Sequence, residues 1–91
     1  MSVRTYRKKP VVIEAMWFGA YPDAQEICDW IGDDAHARNT QNGDGPVAVF
    51  IQTHEGTMCA DIGDFVIREV QGEFYPCKPD IFAQTYEEVS K

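Results

Sequence analysis

No apolar run in this 91-residue chain approaches the roughly 20 residues that cross a bilayer, so no membrane-spanning helix is expected. Serine is nearly missing. Ser2 and Ser90 are the only two, both terminal, which removes the Gly-x-Ser-x-Gly elbow of serine hydrolases. Neither a Walker loop nor a Gly-x-Gly-x-x-Gly turn occurs, so the fingerprints of nucleotide cofactors are lacking. The three cysteines, Cys28, Cys59 and Cys77, are odd in number and widely spaced, which argues against a disulfide framework. There is no Cys-x-x-Cys pair, and His36 and His54 stand at no metal-ligand spacing. The expectation is three buried or half-buried thiols in a reducing cytoplasm, with no metal and no cofactor.

Positive charge is also short, and it is lopsided. Arg4, Arg7, Lys8 and Lys9 make up half of the eight basic residues, and from Pro10 onward four basic residues face fifteen acidic ones. A body with a net charge of −11 repels phosphate backbones, so nucleic acid is not an expected partner. The basic arm, residues 1–9, suits an edge strand flanked by solvated charge, or contact with a polyanion, the protein's own acidic face or a neighbouring subunit. Glu14 interrupts the apolar segment behind it and no small-residue cleavage site follows. A secretory signal is therefore not expected, and the chain should work in the cytoplasm where it is made.

What is present is a core. Apolar residues are 44% and aromatics 12%, too many for a disordered chain and enough for one domain over 1–91. Lys9 to Phe18 reads as a strand, and a central one, because both of its alternating sets are mostly apolar. Asp23 with Glu26 fits a helix N-cap and capping box. Ala24, Ile27, Cys28 and Ile31 then form one apolar stripe, which Gly32 is placed to end. Residues 33–46 read as one long loop with a tight turn at Asn42-Gly43.

From Val47 the period becomes two. "VAVFIQTH" reads as a strand, Glu55-Gly56 as a hairpin turn and "TMCAD" as the return strand. Gly63-Asp64 opens "FVIREV", Gln71-Gly72 turns, and "EFYPC" follows, with Pro76 at a strand end or edge. A short helical turn starts at Pro79-Asp80, and "TYEEV" reads as a last strand beside the first. The expected fold is α+β: one main helix on a mostly antiparallel sheet of five or six strands, in order β-α-β-β-β-β, with a partly rolled sheet as the variant.

Two blocks carry a resemblance. "YRKKPVVIEAMWF" and "GDFVIREVQGEFYPCKPDIFAQTYEEV" together span about 40 of the 91 residues. They resemble a widespread family of small bacteriophage and prophage proteins. Members read K-K-P-V-x-(V/I)-E-A near one end and G-D-(W/Y/F)-(I/V)-I-(R/K)-G-V-(K/Q)-G-E-x-Y-P-(C/V)-K-P-D-I-F near the other. Glu69 replaces a common Gly, and Ile62 a common Pro, both matters of turn geometry. The resemblance implies a shared origin and fold, and it imports no activity.

Candidate sites follow from side-chain chemistry. His54 and Cys59 flank a hairpin, the one place where a Cys-His nucleophile could assemble, though sheet residues of this kind are ordinary. Asp61 and Asp64 could hold a divalent cation or simply close a turn, and Asp80 could cap the turn after Pro79. Arg68 and Glu73 flank the Gln71-Gly72 turn and suit a cross-strand ion pair. Alternatively, Arg68 and Lys78 receive a small anion, such as a nucleotide, with Tyr75 or Trp17 stacking on it. Trp17, Phe18 and Tyr21 form a candidate partner surface. The reading expected overall is binding without catalysis: protein–protein contact first, through self-association or a host protein, and small-anion sequestration as the alternative.

Overall fold

The computed structural model describes residues 2–7, 9–39 and 47–89. It is α+β, as the sequence predicts, but the strands divide between two sheets. One three-stranded sheet runs β1 (Glu14–Trp17), β5 (Phe65–Arg68), β6 (Phe74–Cys77). The other runs β2 (Ala35–Asn39), β3 (Val47–Thr53), β4 (Gly56–Ala60). All pairings are antiparallel.

The division is made at one turn. After β4, Asp64 donates its amide to the Asp61 carbonyl at 3.0 Å, and Gly63 takes φ 102°, a conformation L side chains rarely adopt. The chain therefore does not fold back on β4. Gly63 donates to the Phe18 carbonyl at 2.6 Å and Phe18 to the Asp64 carbonyl at 2.8 Å, which draws β5 against β1. The expected single sheet becomes two layers.

Helix α1 (Asp23–Ile31) forms where the stripe predicts it and packs across β2 and β3. Its start differs in detail. Pro22, not Asp23, is the cap, and the Asp23 carboxylate reaches back to accept the Gly19 and Ala20 amides, each at 3.0 Å. Gly32, at φ 93°, ends the helix and donates to the Cys28 carbonyl at 2.8 Å. Phe18, Ala24, Ile27, Val49, Ile51, Ala60 and Val66 make the core between α1 and the facing sides of the two sheets. Trp30 meets Phe74 edge-on, centroids 4.9 Å apart, which ties the helix to the second layer.

Four further expectations change. The first strand pairs only from Glu14 and lies at a sheet edge, because its neighbour β5 is four residues long between the turns at Gly63 and Gly72. The expected loop contains β2, whose "AHARN" has little strand propensity; pairing with β3 and His36 stacked on Phe50 at 5.6 Å hold it. The Asn42-Gly43 turn falls outside the described residues. Past α2 (Pro79–Thr85), residues 86–89 form no strand, and Tyr86 instead closes that helix by donating to the Phe82 carbonyl at 2.9 Å. The hairpin after β3 turns at His54-Glu55, one residue earlier than predicted, with Gly56 at φ 113° opening β4. Among the described residues, no helix is long and apolar enough to cross a membrane.

Candidate functional site

Strand pleating sorts the first sheet into two faces. Met16, Val66 and Phe74 point into the core. Opposite them, the registers Trp17↔Phe65↔Cys77 and Ala15↔Ile67↔Tyr75 put six side chains on the outer face. Helix α2 lies there without burying a residue of its own. Its anchor is Phe82, which stacks on Phe65 at 3.8 Å and 5°, with Tyr86 following at 5.1 Å. Phe82 and Tyr86 are four residues apart in "IFAQTY", so a helical-stripe reading of that segment would have found this pair.

Trp17 is exposed at 57% yet held. Its Nε1 donates to the Gly63 carbonyl at 3.1 Å. Its ring lies so close over Gly19 that a Cβ there would meet Cζ3 at 2.6 Å, so glycine at this position permits the ring's pose. Tyr21 is also exposed, at 55%. Phe18 is not available: at 0% exposure it belongs to the core, so the partner surface expected from Trp17, Phe18 and Tyr21 loses its middle member.

The expected anion site is not assembled. Arg68 lies at one end of the β5–β6 ladder and Lys78 just beyond the other. The Arg68 partner is Glu14, directly opposite on β1, at 3.0 Å. It is not Glu73, because the register sets Arg68 against Phe74 and leaves Glu73 outside the ladder, where its Oε2 meets His54 Nδ1 at 3.1 Å. Lys78 Nζ sits 3.2 Å from both oxygens of Asp64 and 4.0 Å from Asp61, the place a cation shared by those two carboxylates would take. The hydrogen bond that Lys78 donates to Asp64, and then the Asp64 charge, hold the Lys78 ammonium above its ordinary pKa.

Tyr75 stands elsewhere again. It lines an open groove of about 420 Å³ with Glu55, Glu69, Val70, Gln71 and Glu73. Lost hydration, followed by a hydrogen bond to Glu73, pushes its phenol up. Three glutamates around the ring repel an anion.

The buried Asp64 acts as a structural hub. Besides Lys78 it accepts the Asp61 amide at 2.9 Å, which fixes the turn that separates the sheets. Asp64 thus closes the turn, as the sequence predicts, whereas Asp80 makes no side-chain cap bond and Lys78 holds the cap position.

Cys28 and Cys77 are half-buried as expected, whereas Cys59 is exposed. Burial first pushes Cys28, Cys59 and Cys77 above the ordinary thiol value, which disfavours the reactive thiolate. Cys59 lies opposite Phe50, and His54 is engaged with Glu73, so no Cys-His couple forms. No protein-family model, curated protein or solved structure matches the chain.

Proposed function

We propose that this chain is a small phage-encoded accessory protein of the host cytoplasm that acts by binding a protein partner. Its origin is supported by the two resembling sequence blocks; the binding mode is supported by the outer face of the β1-β5-β6 sheet. One observation carries the reading: Trp17 is more than half exposed, yet its ring orientation is set by Gly19 and by the bond to Gly63. An aromatic already immobilised loses little rotamer freedom on binding, which is what a partner-anchoring residue requires. Phe65 lies directly beside it in register, and Phe82 extends the apolar surface through α2.

The test is Trp17→Ala, with the fold checked by circular dichroism. The substitution removes an exposed ring and one hydrogen bond, about 1 kcal/mol of stability, and is expected to leave the fold intact. Capture of the partner, by light scattering for self-association and by host-lysate pull-down for another protein, is expected to fall. Unchanged capture in a folded variant would overturn the reading, as would a strictly monomeric wild type that retains no protein.

A further inference from the structure

β1 is an edge strand, and the chain leading into it is built to continue it. In the order β1-β5-β6, one side of β1 has no strand beside it among the described residues. Val11, Val12 and Ile13 run straight into Glu14 with β-branched side chains, and Val12 is 77% exposed. Among the described residues this run has no strand partner. An apolar, unpaired strand edge is a template for another strand unless something covers it.

Charge narrows the occupant. The first nine residues hold four cations and no acid, while the remainder carries a net −11. The complement to the arm is therefore the body of another copy, and the complement to the body is another copy's arm. Resting on the reading that this protein works through protein contact, we infer that a second copy of this chain adds antiparallel along residues 10–17, joining two three-stranded sheets into one continuous sheet. In that register Val11, Val12 and Ile13 lie opposite the second copy's Met16, Ala15 and Glu14, and the arm runs on past its exposed Trp17, with Lys9 the cation nearest that ring. Pro10 has no N–H to donate and takes a non-hydrogen-bonded place or the rim. The contact is isologous, so it closes at two copies and does not propagate.

Sedimentation analysis of the full chain over a concentration series tests this, with Val12→Pro and the double variant Arg4→Glu/Arg7→Glu beside it. A dimer that weakens with salt is expected for the wild type. Val12→Pro deletes an amide donor and places a ring in the ladder, and is expected to weaken the dimer at least about tenfold. The charge variant is expected to weaken it and flatten its salt dependence. Should Val12→Pro melt abnormally, the charge variant, which leaves the backbone alone, decides. A wild-type monomer throughout would overturn the inference, as would a dimer equally strong in both variants. Trp17-dependent capture of a different protein by a monomer would leave the proposed function standing; a monomer that captures nothing would end both.

Discussion

The two sheets carry the same number of strands and one helix each, yet they are built oppositely. Helix α1 drives Ala24 and Ile27 into the core beside β2 and β3. Helix α2 buries nothing and holds to β5 through one ring, Phe82 on Phe65. On the outer side of the β2-β3-β4 sheet, Phe50 is covered by His36 stacked at 5.6 Å and by the Arg38 guanidinium at 5.7 Å. On the outer side of the β1-β5-β6 sheet, Trp17 remains open to solvent. A chain of this length supports one core, and both sheets share it. The outer face of the β1-β5-β6 sheet is covered only in part: Ile67 is buried, Phe65 and Phe82 are half-buried, and Trp17 is fixed yet exposed.

Substitutions can break this contrast or sharpen it. The largest effect is expected from Ile27→Ala, which empties the centre of the shared core and costs about 2 to 5 kcal/mol; urea unfolding should show the midpoint falling steeply. Asp64→Ala should cost about 2 kcal/mol, because it strands the Asp61 amide and frees the turn that parts the sheets, and amide exchange should report opening at both β1 and β5. Phe82→Ala should cost about 1 kcal/mol and raise exchange in α2 alone. A Phe82→Ala loss as large as that of Ile27→Ala would erase the distinction between the two layers.

The smallest effect is electrostatic. Asp64 raises the Lys78 pKa on folding above the ordinary 10.5. A raised folded value means that this contribution is complete below the unfolded pKa and is lost as pH rises through the folded one. Thermal melts should therefore show a Lys78-dependent decline only on the alkaline side of 10.5, absent in Lys78→Met, with no such contribution to pH dependence near neutrality.

Much of the local structure was legible. The stripe Ala24, Ile27, Cys28, Ile31 located α1, and Gly32, Gly56, Gly63 and Gly72 all take positive φ at or beside the predicted turns and helix end. Strand β2 was not legible, since "AHARN" becomes a strand through β3 and not through its own propensity. The candidate site was half legible. Trp17 and Tyr21 are exposed as a partner surface needs, but the adjacent Phe18 is inside, and two neighbouring aromatics give no sign of which faces the core. Arg68, Tyr75 and Lys78 suggested a pocket because they lie within eleven positions, but the ladder register separates them.

Turns, the main helix and the unequal charge of arm and body were determined by the sequence itself, because they depend on backbone freedom and on side chains within about four residues of one another. Only the tertiary structure decided that six strands make two sheets, that Arg68 answers Glu14 across 54 positions, and that Trp17 is fastened to Gly63 across 46. Those contacts depend on which distant segments meet around the common core, and burial, which no local pattern specifies, selects among them.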